Sequence, residues 1–240
     1  MALFKRSAQK EYLEFEELVF TLQRKNIKNI HLRIKPSDGA LVITCPMRTS
    51  QRCLHLFIQT NLKWIRQKQK NLLDSVRCTP EGYHAGSLHY VDGKAHILQF
   101  FDDQPVSGIK STPPVLQLQT SKPFCAQTNQ KLLKQWYRQR LSEQIPPLIT
   151  KWEPKIKRNV CEWRIKKMKT RWGTCNPAAQ RIWLNLELAK TPHECLEYVL
   201  VHEMVHLLER SHNATFHAYM DTFLPDWRQR KMLLSRFIIG

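Results

Sequence analysis

Two histidines four residues apart, with a glutamate beside the first, are the residues of this sequence best suited to chemistry. His202, Glu203 and His206 lie in an apolar segment, residues 196–208, whose pattern predicts a helix. Residues four apart share one face of a helix, so both imidazoles point in the same direction. They supply half of a zinc site, and Glu203 is placed to accept a proton from a water molecule that the metal activates.

A third ligand would complete such a site, and two further histidines are candidates. His212 follows His206 by six residues, close enough for the chain to turn back to the metal, and His217 is the alternative. Three histidines leave a fourth position for water, as in catalytic zinc sites, whereas four protein ligands make a closed, structural site. The spacing from His202 to His212 equals that of the metzincin pattern, although Glu209 stands where metzincins have glycine.

Local patterns outline the elements that position these residues. A capping box predicts the start of the metal helix, with Thr191 as N-cap and Glu194 reaching back to it. Upstream, periodicity and turn signals predict a helix over about 129–151 that Pro146–Pro147 breaks or kinks, a strand at 160–168, a turn at 171–175 and a strand at 181–188.

The N-terminal half reads as short strands and one helix. Alternating residues predict strands at 20–24, 31–34 and 41–44, the last two joined as a hairpin through Ser37-Asp38-Gly39. A helix follows to about residue 73, and Asp92-Gly93 marks a second hairpin between apolar runs. One more strand is expected at 115–118, within a proline-containing connection that suggests a domain boundary.

Several stretches together resemble the YgjP-like metallopeptidase domain, a family related to SprT-like zinc proteases. They are Ile30 to Pro46, Lys169-Thr170-Arg171-Trp172-Gly173-Thr174-Cys175, Ile182-Trp183-Leu184-Asn185, and His202 to Asn213 with Phe216. The resemblance covers nearly the whole chain. It implies a zinc-dependent peptidase of minimal zincin type that holds one Zn²⁺ ion, with His202, His206 and His212 as ligands and Glu203 as general base.

Two positions of this sequence depart from the family pattern. Thr174 replaces the usual serine, and His217 stands where the family tends to have an aromatic residue.

The expected fold class is α+β, with a β-rich N-terminal subdomain that includes a helix, residues 1–124, followed by a zincin-like catalytic domain, residues 125–240.

The stretch Arg171-Trp172-Gly173 has a structural and a functional interpretation. In the first, Trp172 fills the core and Gly173 permits a turn or a close backbone approach. In the second, Arg171, Trp172 and Gly173 bind substrate, since the resemblance places them beside the metal, where a strand edge could pair with an extended peptide. The expected partner is therefore a peptide or protein substrate.

Positive charge predominates in this chain. It has 38 Lys and Arg against 20 Asp and Glu, a formal net charge of +18, which favours acidic or polyanionic partners. Tryptophans interleave with basic residues over 151–171, as in surfaces that bind DNA or another polyanion, although a solvated strand face is the commoner explanation of such a run. The candidate contacts are Lys155, Lys157, Arg158, Lys166 and Lys167.

Cysteine usage and hydropathy bear on the compartment. Seven cysteines occur without a Cys-x-x-Cys pair, which argues against a structural zinc cluster or a disulfide framework. No run approaches the ~20 apolar residues of a membrane span, so a cytoplasmic protein without a membrane partner is expected. The alternative function is a structural-zinc module that binds nucleic acid or a protein partner without protease activity.

Overall fold

The computed structural model describes residues 11–34, 40–73, 76–77, 82–101, 108–119 and 125–239. The chain divides into two compact units, Met1–Ser75 and Val76–Gly240. Helices and strands are mixed throughout, which confirms the α+β class. The described helices are α1 (Gln51–Leu73), α2 (Ala126–Ile156), α3 (His193–Val205), α4 (Ala214–Phe223) and α5 (Trp227–Leu234). The described strands are β1 (Glu11–Phe15), β2 (Leu18–Lys25), β3 (His31–Ile34), β4 (Leu41–Pro46), β5 (Val76–Arg77), β6 (Leu88–Val91), β7 (Lys94–Phe101), β8 (Gly108–Thr112), β9 (Val115–Gln119), β10 (Glu162–Lys166), β11 (Gly173–Asn176), β12 (Arg181–Asn185) and β13 (Phe237–Ile238).

The first unit is a four-stranded sheet with one helix. Its strand order is β1-β2-β4-β3, with β2 and β4 parallel and the two outer pairs antiparallel. Leu54, Ile58 and Ile65 of α1 are buried in one core with Phe20 and Ile43 of the sheet. The predicted pairing of residues 31–34 with 41–44 is confirmed, while the turn at residues 37–39 lies outside the described residues.

A second sheet, in the other unit, has the same topology. Its order is β6-β7-β9-β8, with β7 and β9 parallel and the outer pairs antiparallel. Asp92 and Gly93 have φ values of 49° and 79°, as the predicted tight hairpin requires. Their N–H groups donate to the carbonyls of Ala189 (3.3 Å) and Lys190 (3.0 Å), just before the metal helix α3.

The second sheet shares its core with α2. Leu98 and Leu116 of the sheet and Leu133 and Tyr137 of α2 belong to one buried cluster. Because these contacts cross the proline-containing connection, strands β6 to β9 group with the C-terminal unit. The boundary expected between residues 124 and 125 does not coincide with this division.

Helix α2 is continuous over 31 residues, so Pro146–Pro147 does not break it, and the kink stays a prediction. A proline removes its own N–H and crowds the preceding turn, but Leu141, Ile145 and Leu148 around it are buried. Packing of this face therefore outweighs the local cost of the prolines. Among the described helices, none has the length and apolarity to cross a membrane.

The third sheet, β10-β12-β11, lies next to the metal helix. Its edge strand β11 occupies residues predicted as a turn, and it pairs antiparallel with β12. A 3₁₀ helix, Leu186–Lys190, follows β12 in place of a longer strand. The predicted capping box is also wrong: the hydroxyl of Thr191 donates to the carbonyl of Leu188 (2.9 Å), so it closes the 3₁₀ helix instead.

Helices α2, α3 and α5 meet at the buried carboxylate of Glu197. It accepts hydrogen bonds from Lys151 Nζ (2.6 Å), Trp152 Nε1 (3.0 Å) and Arg230 Nη1 (2.6 Å), and its side chain is 8% exposed. Burial alone would raise the pKa of Glu197, but these donors outweigh it and lower the pKa to about 2. The carboxylate thus holds the metal helix between two others.

Replacing Glu197 with Gln is expected to reduce the free energy of unfolding at pH 7 by about 2–3 kcal/mol, following from the depressed pKa. The folded-state pKa lies below the unfolded value, so this stabilisation is present at neutral pH and is lost as the pH falls from about 4.5 towards 2. Urea denaturation at pH 7 and pH 3 tests this, with the exposed Glu194 on the same helix, as Glu194→Gln, for control. An equal deficit at both pH values would contradict it.

Candidate metal centre

Three imidazoles converge where the metal helix ends. His202 lies in the last turn of α3, His206 is its C-cap, and His212 precedes α4. Their candidate ligand atoms all lie within 4.8 Å of one another, and Nε2 of His202 is 3.0 Å from Nε2 of His212. Two nitrogens each about 2.0 to 2.1 Å from a tetrahedral zinc ion stand about 3.3 Å apart. The donor set therefore fits zinc in chemistry and in size.

A short chain reversal brings the third histidine back to the first two. His206 donates its Nδ1–H to the carbonyl of Glu209 (3.0 Å), which leaves Nε2 as the ligand nitrogen. The carboxylate of Glu209 accepts the N–H of Ser211 (3.0 Å). Asn213 then caps α4 by accepting the N–H of Phe216 (3.0 Å). The chain reversal is therefore made without the glycine of the metzincin pattern.

An apolar floor supports the three rings. Phe216 is 1% exposed, and its ring centroid lies 4.9, 4.7 and 4.7 Å from those of His202, His206 and His212. Burial, together with the neighbouring histidines and Lys231, lowers the pKa of His202 to about 3. The imidazole is therefore neutral at pH 7, which is the form that binds a metal.

His217, the alternative ligand, has a different position. It is exposed, and its ring stacks on Trp227 with centroids 5.6 Å apart and planes 8° apart. Within the described residues, the only group of three or more potential metal ligands is His202, His206 and His212. A fourth protein ligand is not part of that group.

Glu203 follows His202 in the chain and is buried against Gly173 of the edge strand β11. Its residue is 6% exposed, and burial raises its pKa to about 8, with the positive charge of Arg171 acting in the opposite direction. A Cβ atom added to Gly173 would lie 2.7 Å from Glu203 Oε1 and 2.9 Å from Val199 Cγ1. Only glycine lets β11 pass this close, as the close-approach interpretation of Gly173 predicts.

Comparison with known proteins identifies the family. The model of the YgjP-like metallopeptidase domain matches residues 28–237, which is most of the chain. The chain belongs to the YgjP-like metallopeptidase domain family. Among solved structures it is similar to the crystal structure of the metallopeptidase zymogen of Pyrococcus abyssi abylysin, with 19% identity, 36% of this chain and 85% of that chain covered, and a TM-score of 0.33. No curated protein matches.

One buried asparagine shapes the approach to β11 in this YgjP-like domain. Asn185 donates through Nδ2 to the carbonyls of Met168 (2.9 Å) and Arg171 (2.8 Å), and its N–H donates to the carbonyl of Trp172 (2.8 Å). Trp172 is half-buried against the core, while the side chain of Arg171 is exposed. This role of Asn185 was not predicted; a polar residue at the end of an apolar strand is the sequence signal that could have revealed it.

The basic residues predicted to bind a polyanion are all exposed, but they belong to separate elements. The ammonium groups of Lys155 and Lys166 lie 4.7 and 4.5 Å over the rings of Trp152 and Trp183, and Lys167 is 4.0 Å from Glu187. Part of the basic and aromatic pattern therefore serves contacts within the YgjP-like domain. Polyanion binding by Lys155, Lys157, Arg158, Lys166 and Lys167 stays a prediction.

Proposed function

We propose that this YgjP-like metallopeptidase domain is a zinc-dependent peptidase in which Glu203 is the general base. The observation that supports it best is the donor set itself: three histidine nitrogens grouped beside one buried carboxylate. Three protein ligands are the number used by catalytic zinc sites, which keep a fourth position for water or substrate. Glu203 follows His202 in the chain, and we expect its carboxylate to act on the water in that position.

The expected roles of the residues follow from this arrangement. His202, His206 and His212 would hold the metal through imidazole nitrogens. A bound zinc ion supplies a Lewis acid for the scissile carbonyl, lowers the pKa of the attacking water to about 7, and favours the ionised form of Glu203. Glu203 would accept the proton of that water and donate it to the departing amine, as one carboxylate acting first as base and then as acid.

An edge strand offers the peptide a place to bind. Strand β11 pairs with β12 on one side, and within the described residues no strand pairs with its other side. An extended peptide can add to such an edge through main-chain hydrogen bonds, a mode that tolerates varied side chains. Because Gly173 touches Glu203, a peptide on β11 would run past the proposed base. Arg171 is the exposed side chain beside this path.

The alternative function, a structural zinc module that binds nucleic acid or a protein partner, requires a different number of protein ligands. A structural site normally has four protein ligands, and its removal unfolds small domains. The grouped ligands here number three among the described residues, and His217 stacks on Trp227. The arrangement therefore favours the peptidase.

Digestion of an unfolded protein tests the proposal. Zinc-loaded protein is expected to cleave β-casein, to stop when 1,10-phenanthroline removes the metal, and to resume when zinc is restored. Protein carrying Glu203→Gln, purified in the same way, controls for contaminating proteases. Stoichiometric zinc without cleavage of casein or other unfolded proteins would contradict the proposal, and unfolding on chelation would then support the structural alternative.

A further inference from the structure

An aromatic wall extends from the metal ligands to helix α5. The ring of Tyr198 meets His202 edge-on at 5.9 Å, and it stacks on Trp227 with centroids 6.5 Å apart and planes 8° apart. His217 stacks on Trp227 as well, at 5.6 Å. The rings of Tyr198, Trp227 and His217 thus form a continuous stack from His202 to α5, which we call the aromatic wall; Tyr198 and Trp227 are buried and His217 is exposed. None of them is among the three grouped metal ligands.

Lys231 adds a positive charge to this wall. Its ammonium group lies 5.6 Å over the ring of Trp227, one turn earlier on α5, and the side chain is exposed. Trp227 stacks on Tyr198, and Tyr198 contacts His202, so Lys231 lies at the outer end of a run of rings that leads to the grouped histidines. A substrate that extends from the grouped histidines along the aromatic wall would approach Lys231.

Arg171 supplies a second positive charge, from the strand side. It is exposed, and it lies two residues before Gly173, the residue of β11 that packs against Glu203. Within the described part of the chain, neither Arg171 nor Lys231 forms an ion pair. Two cations without an ion-pair partner are therefore carried by elements of the site, Lys231 on α5 and Arg171 before β11.

The acidic groups near the site already have partners. The carboxylate of Glu209 accepts the N–H of Ser211, and that of Asp221 accepts Trp227 Nε1 (2.7 Å) and pairs with Arg228. These carboxylates are held by groups other than Lys231 and Arg171. A carboxylate brought by a ligand would meet the two cations without displacing an existing ion pair.

We infer that the site selects peptides with acidic side chains next to the scissile bond, and that Lys231 and Arg171 are the specificity-determining residues. This inference rests on the proposed peptidase function and adds its substrate class. Acidic side chains gain an attraction on both sides of the site, and basic ones are repelled by the same two charges. The net charge of +18 favours the encounter with acidic chains in the same sense.

Three internally quenched peptides test the inference. They are identical except that the two residues flanking a central Ala–Leu bond are Glu, Gln or Lys. The zinc-loaded protein is expected to show a kcat/KM about fivefold higher for the Glu peptide than for the Gln peptide, the order expected for one charge pair in a solvent-screened cleft. The Lys peptide should be the poorest substrate, and the preference should shrink as salt rises.

Charge reversal at Lys231 identifies the cause. Lys231→Glu is expected to abolish or reverse the preference for the Glu peptide, whereas Arg236→Glu, the same charge change at another exposed position, should preserve it. A second readout does not require turnover: fluorescence anisotropy with the Glu203→Gln protein should show tighter binding of labelled Glu peptide than of Lys peptide.

Each outcome decides one of the two proposals. Equal cleavage of the three peptides, or a preference that survives Lys231→Glu, overturns the inference and leaves the peptidase standing. If no peptide is cleaved, the casein digestion judges the peptidase proposal, and the anisotropy comparison judges the acidic preference: equal affinity for the Glu and Lys peptides overturns it.

Discussion

Glu203→Gln is expected to retain one zinc ion while peptide hydrolysis falls by about 10²- to 10⁴-fold, the usual size of a general-base contribution. Gln has nearly the shape of Glu but cannot accept the proton of the attacking water. The carboxylate is buried against Gly173, so the neutral amide fits without loss of a solvated charge. Metal content by elemental analysis and cleavage of a quenched peptide measure the two effects together.

Glu203→Asp provides the matched comparison, because it keeps the carboxylate and shortens the side chain by one methylene. Its activity should fall between those of the wild type and Glu203→Gln. Unchanged turnover in the Gln variant would remove Glu203 from the mechanism. Loss of zinc in that variant would instead mean that the residue supports the metal site.

His212→Ala is expected to weaken zinc binding by more than about 100-fold, since loss of an outer-shell partner alone costs 10- to 100-fold. His212 is exposed in the turn before α4, so its truncation should leave the fold intact. Competition with a chromophoric chelator measures the affinity, and thermal denaturation of the zinc-free protein checks the fold.

His217→Ala is the control that separates the two candidate third ligands. Both variants remove one exposed histidine from neighbouring positions, but the ring of His217 lies on Trp227 and outside the grouped ligands. Zinc affinity should therefore be nearly unchanged in His217→Ala. The opposite pattern, with zinc lost in His217→Ala and kept in His212→Ala, would reassign the third ligand.

Local patterns were sufficient wherever the determining contacts are local. The spacing of His202 and His206 on an apolar helix, the Asp92-Gly93 hairpin and the length of α1 are all set by residues close in sequence. The predictions fail where contacts between residues distant in sequence determine the local structure. Prolines inside α2 are tolerated because its face is buried, and Thr191 bonds back to Leu188 instead of capping α3.

The pairing of strands that are distant in the chain could not be predicted from the sequence. The parallel pairs β2–β4, β7–β9 and β10–β12 leave no turn signal, because their partners are far apart in the chain. The same holds for the neighbours of the site. Glycine at position 173 suggested a close approach, but only the fold shows that the approaching atom belongs to Glu203. Lys231 lies 25 residues after His206, and no sequence spacing rule connects the two positions.

The two four-stranded sheets have a consequence for the history of the chain. Residues 11–73 and 88–156 each run as four strands and one long helix, with the same strand order and the same parallel central pair. Duplication of one ancestral segment, followed by divergence of its side chains, would leave this pattern. In the second segment the hairpin donates hydrogen bonds to the carbonyls of Ala189 and Lys190, ahead of the metal helix. Equal backbone topology with different side chains is the trace that such a duplication would leave.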